Sequence, residues 1–178
     1  MKMMNRIGYL TLAFATALVA CRGSSAAHDE HAAASPDTRA PLPLTATMAN
    51  HQKQEMRDHL RVVQEVTTAL AKDDFDAVAK SAARIGWSEQ QAQMCKHMGA
   101  GAVGFAEVGE HFHKTADTIA EAAKRRDHAG VVAAVGATLQ TCVGCHEAFR
   151  QDIVDEPTFT KMTGSPAMDP SCPMMHGT

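Results

Sequence analysis

The chain has 178 residues, 45% of them apolar and 21% charged, enough for one domain with tails. Aromatics number one Trp, one Tyr and six Phe, and Ala is abundant, which argues against an all-β barrel or sandwich. A formal charge of −3 excludes a nucleic-acid binder that works by bulk electrostatics.

The N-terminus reads as an export signal. Lys2 and Arg6 form a positive n-region, and residues 7–20 are uncharged, mostly apolar and too short for a comfortable membrane span. Leu18-Val19-Ala20-Cys21 resembles a bacterial lipobox, which implies cleavage before residue 21 and lipidation of Cys21. An ordinary secretory signal cut near Ala20 or Ala27 is the competing reading. Both imply export, and lipidation anchors the protein to a membrane without a spanning helix. Residues 21–45 contain Pro36, Pro41 and Pro43, with serines and no apolar period, so they read as a tether. Within it, His28-Asp29-Glu30-His31 offers a weak metal site at best and reads as solvated linker.

Helical periodicity starts near Met48. Met56, Leu60, Val63, Thr67 and Leu70 recur at threes and fours and predict a first helix. Asp73-Asp74 ends it and caps a second, with Phe75, Val78, Ala82 and Ile85 as its apolar face. Residues 87–101, with Trp87, Cys95 and glycines, read as a long connection. A third helix carries Val108, Phe112, Thr115, Ile119 and Ala122, and ends in the basic run Lys124-Arg125-Arg126. A fourth carries Val132, Val135, Leu139, Cys142, His146, Phe149 and Ile153. The expectation is an all-α fold, an antiparallel four-helix bundle over residues 46–154. Residues 155–178 are rich in Pro and Met and read as a tail without a further helix.

Cys142-Val143-Gly144-Cys145-His146 is the strongest chemical signal. Two thiols three residues apart share a helical face and suit thioether links to one haem, with the adjacent imidazole as an iron ligand. Zinc requires a second ligand pair, and no second Cys-x-x-Cys exists in the chain. A redox Cys-x-x-Cys belongs at a helix N-terminus, whereas this one falls late in a helix.

The run Cys142-Val143-Gly144-Cys145-His146-Glu147-Ala148-Phe149-Arg150, near the end of four helices, resembles the cytochrome c-prime family, the class II c-type cytochromes. The likeness covers about residues 48–154. It implies a four-helix bundle with one covalent haem c, His146 as proximal ligand, Arg150 close to it, and homodimerisation. Glu55-Met56-Arg57-Asp58-His59 resembles the low-spin branch, which implies Met56 as the second axial ligand. Helix arithmetic agrees: at 1.5 Å per residue, Met56 and His146 lie about 12 and 10 Å from the same end of the bundle. Packing in the core is the competing role for Met56.

His59, one turn on, is the substitute ligand or a polar residue at the pocket edge. His111 and His113 are two apart and make a poor metal pair, though one of them can face the haem edge. Cys95 and Cys172 remain after lipid and haem take their cysteines. They form a disulfide, or stay free with Cys172-Pro173-Met174-Met175-His176 as a soft copper site.

The expected function is a membrane-tethered, periplasmic c-type cytochrome of a bacterium that passes single electrons between redox partner proteins and catalyses no bond chemistry. The alternative is a five-coordinate protein binding nitric oxide or carbon monoxide, with Met56 as steric filler.

Overall fold

A computed structural model describes residues 36–167. The expected signal sequence, the lipidation candidate Cys21, most of the expected tether, and Cys172 with the copper-site candidates around it lie outside the described residues. The described chain is mostly helical, as expected of an all-α protein. In order it forms β1 (Ala40–Leu44), α1 (Ala46–Leu70), α2 (Phe75–Ala82) running into a 3-10 turn, α3 (Glu89–Met98), α4 (Phe105–Lys124), α5 (His128–Ala148), β2 (Phe149–Ile153) and α6 (Glu156–Thr163).

Most helix starts carry the side-chain acceptor that exposed N–H groups of a first turn require. Thr45, Asp74, Ser88, Asp127 and Asp155 accept from the amides of Met48, Ala77, Gln91, Gly130 and Thr158. α4 instead follows Gly104, whose φ of +86° suits glycine.

α4 is the central element, packed against α2, α3 and α5, while α1 lies on α2. One core joins Val62, Val66 and Leu70 of α1 to Phe75 and Val78, then to Phe112, Ala116 and Ile119 of α4 and Val131 and Val135 of α5. A second core, at the end where β1 and β2 lie, gathers Leu42, Leu44, Met48, Met98, Phe105 and Phe159.

Four segments depart from the sequence-based expectation. The last residues of the presumed tether form β1, which pairs in parallel with β2, Ala40 opposite Phe149 and Leu44 opposite Ile153. The Leu44 carbonyl accepts from the Val154 amide at 2.9 Å, so Leu42 and Leu44 turn their backbone groups toward β2. Pro41 and Pro43 turn away, where no donor is needed. Residues 89–98 are helical because Ser88 caps them and Ala92, Cys95 and Met98 supply a buried face. α5 stops at Ala148: Phe149 is extended, and its ring packs edge-on against Phe105 with centroids 5.4 Å apart. The tail contains α6, where Pro157 sits harmlessly in the first turn and Phe159 is wholly buried.

The phase of two helices also differs. In α2 the expected face of Phe75, Val78, Ala82 and Ile85 is buried throughout. In α1 the buried seam is Val62, Val66 and Leu70, leaving Met56 41% and Leu60 66% exposed. In α5 it is Val131, Val135 and Thr138, leading on to half-buried Cys142 and Cys145, while Val132, Leu139 and Val143 lie at the surface. Among the described helices, α5 alone is long and apolar enough to cross a membrane, yet it packs on α4. Only 22% of its most apolar stretch is buried, so much apolar surface on it is left uncovered by the described residues.

Candidate functional site

The Cys-x-x-Cys-His run occupies the last two turns of α5. Spacing of three puts both thiols on one face, and Cys142 packs on the first core while Cys145 packs on the second. Burial raises both thiol pKa values, and Cys142 adds to the effect on Cys145. The negative end of the helix dipole also disfavours thiolates. Activated dithiols have the opposite environment, so this pair is ill suited to disulfide exchange. Among the described residues, no group of three or more His, Cys, Asp or Glu lies close enough together to hold a metal ion by itself.

His146 follows on the exposed side of the same turn. The uncovered residues Val132, Leu139 and Val143 run toward it at spacings of seven, four and three, one continuous stripe along α5. Two thiols, an imidazole and adjoining apolar surface are the donor set and wall that a covalently held haem requires, and the residues present fit that group.

The level of Met56 follows from different contacts than helix counting supposed. Since α5 ends at Ala148, His146 lies about 3 Å from that helix end, and the earlier figure of about 10 Å does not hold. Instead Gln151, five residues beyond His146, donates to Gln52 Oε1 at 2.6 Å and reaches the Ala49 carbonyl at 3.4 Å. Met56 is one turn beyond Gln52 on the same face of α1. β2, which follows the motif directly, is therefore joined to the N-terminal part of α1, and Met56 stands on the same face of α1 as Gln52. It belongs to neither buried core, which corrects the placing of Met56 on the core seam.

His59 faces α4. Its ring stacks on Phe112 with centroids 4.6 Å apart and meets His113 edge-on at 5.6 Å. Burial, with His113 nearby, holds its pKa down at about 4, so it is a neutral imidazole at pH 7. Buried His113 has its Nδ1 2.9 Å from the Ile85 carbonyl, which can only accept, so Nδ1 carries the proton. His111 is exposed. Arg150 lies on β2, four residues past His146, with its guanidinium 3.7 Å from Asp152.

Cys95 is buried on α3 against Gly109 of α4, where a Cβ would come within 2.7 Å of its sulfur. Burial, with smaller contributions from Glu110 and Cys145, pushes its thiol up to about 11. It has no bonded partner among the described residues, and its proposed partner Cys172 lies outside them. Sequence reasoning did not single out Asp37, Arg39, Gln52 or Gln151. The one signal for the first two was Leu-x-Leu alternation between prolines, which marks a short edge strand.

Comparisons with family models, curated proteins and solved structures gave no match.

Proposed function

We propose that this protein is an exported c-type cytochrome, lipid-anchored at Cys21, that carries single electrons between redox partners near a bacterial membrane. In this reading α1, α2, α4 and α5 are the antiparallel four-helix bundle and α3 is an insertion. Cys142 and Cys145 would hold one haem c covalently, and His146 and Met56 are the residues that would ligate its iron. The observation that carries the proposal is the Cys142-x-x-Cys145-His146 run closing an apolar helix. The surface leading to His146 along that helix is exposed and apolar at Val132, Leu139 and Val143.

Bound there, haem supplies an iron that takes up and returns one electron. The chain's own residues supply the rest. Thioether links at Cys142 and Cys145, together with the packed end of α5, would fix the orientation of His146. The exposed apolar residues Leu139, Val143, Met56 and Leu60 supply apolar surface against which a bound haem would pack. A His/Met ligand pair changes little between oxidation states and raises the potential, which suits a carrier. Arg150 sits on the strand directly after the motif, positively charged beside the haem end.

The partial exposure of Met56 favours a second reading, in which it does not ligate and small gases reach the iron. One experiment separates the two: optical spectra of the purified, matured protein, oxidised and reduced, with carbon monoxide added to the reduced form. A low-spin spectrum with a sulfur-to-iron charge-transfer band, unchanged by carbon monoxide, supports the carrier. A high-spin spectrum that shifts with the gas makes it a gas-binding protein. Absence of covalent haem refutes both.

A further inference from the structure

The segment just before β1 is bonded to the motif itself. Asp37 and Arg39 form a two-pronged pair, Nε to Oδ1 at 2.9 Å and Nη2 to Oδ2 at 2.7 Å. This directs one edge of the guanidinium at Asp37, and the free Nη1 donates to the main-chain carbonyl of His146 at 3.2 Å. The last four carbonyls of a helix have no donor within it. The Phe149 amide serves that of Cys145, and Arg39, 107 positions earlier, serves that of His146. β1 begins one residue after Arg39 with Ala40 opposite Phe149, so strand register delivers the guanidinium to the helix end. Asp37 also feels Arg150, so the charged groups at this end are Asp37, Arg39, Arg150 and Asp152.

We propose that Asp37 and Arg39 are positioning residues for His146: the guanidinium, oriented by the Asp37 carboxylate, caps the carbonyl of the proposed ligand and locks the last turn of α5 onto β1. The part of this that concerns iron rests on the function proposed above. The tether that leads toward the membrane thereby also holds the haem-binding end of the fold.

The test uses the full-length matured protein and the variants Arg39→Gln, Arg39→Lys and Asp37→Asn. Two readouts are taken, the reduction potential at low and high salt and amide hydrogen exchange in the peptide that ends α5. Loss of a positive charge favours oxidised iron, so Arg39→Gln lowers the potential and Asp37→Asn raises it. Both shifts shrink in high salt because the pair is exposed. Exchange at the end of α5 speeds up about two- to tenfold in Arg39→Gln, the loss of one hydrogen bond, and also speeds up in Arg39→Lys, whose single ammonium cannot grip both Asp37 oxygens and reach the carbonyl as well. Unchanged exchange, or potentials that stay fixed or move in the same direction, overturns the proposal. A wild-type protein without covalent haem would refute the proposed function, and the exchange readout alone would then decide this inference.

Discussion

Phe159 gives the most direct test of the described fold, because sequence periodicity assigns it no packing role. It is fully buried on α6 among Leu42, Leu44, Met48 and Phe105. A buried Phe removes about 150–250 Å² from water, worth about 4–6 kcal/mol at ~25 cal/mol per Å². Alanine keeps a small part of that, and the neighbours relax only partly into the space, so Phe159→Ala costs about 3–5 kcal/mol. Domains of this kind are stable by about 5–15 kcal/mol, so the loss is a large share of the total. Urea unfolding, followed by far-ultraviolet circular dichroism, reads it as a midpoint lowered by about 2 M at an ordinary slope. Met162→Ala on the same helix, at a side chain 53% exposed, is the control and shifts the midpoint little. A Phe159→Ala midpoint within about 0.5 M of the control would refute the packing of α6 into the second core.

Three further outcomes are expected. Under the proposed function, Met56→Ala converts the matured protein from low to high spin in its optical spectrum, while stability falls by about 1 kcal/mol or less because the side chain is partly exposed. His59 is held down at about 4, below its ordinary value, so the folded state binds fewer protons than the unfolded one. Its stabilising effect is full above pH 6.5 and falls as the pH drops toward 4, by about 3 kcal/mol at most; His59→Phe flattens that slope in urea titrations at pH 7, 5.5 and 4.5. Gly109→Ala gains about 1 kcal/mol of helix propensity, yet its new Cβ lies 2.7 Å from the Cys95 sulfur. Overpacking costs about 1–3 kcal/mol, so the net effect is a loss of up to about 2 kcal/mol, and thermal melts of the double variant with Cys95→Ala recover most of it.

The apolar surface left on α1 and α5 has a consistent explanation under the proposed function. Met56 and Leu60 on one helix, and Leu139 and Val143 on the other, lie on faces that the described residues leave exposed. Scattered exposed apolar residues are ordinary in proteins. A stripe that runs along one helix into a Cys-x-x-Cys-His motif is not scattered. Haem and its edge would cover the part of it next to His146.

The sequence by itself determined what depends on local chemistry. The helical character of residues 46–70, 75–85, 105–124 and 128–148 follows from apolar spacing, and Asp74 declares its role as a cap. The Cys142-x-x-Cys145-His146 run is legible because its meaning lies in adjacent residues. Only the tertiary structure decided which face of α1 and of α5 is buried. Each helix carries two apolar stripes about a residue apart in phase, and periodicity cannot choose between them; contact with α2 and α4 chooses Val62–Val66–Leu70 and Val131–Val135–Thr138. The strands were hidden for a related reason. A parallel pair joins residues more than a hundred positions apart, so neither Ala40–Leu44 nor Phe149–Ile153 contains its own partner. α6 was masked by prolines, one of which fits a first helical turn, and its stability comes from a single Phe whose pocket is built by distant segments. The same distance hides Arg39 at the carbonyl of His146, since a charge in a proline-rich stretch shows its role only when the fold brings the helix end to it.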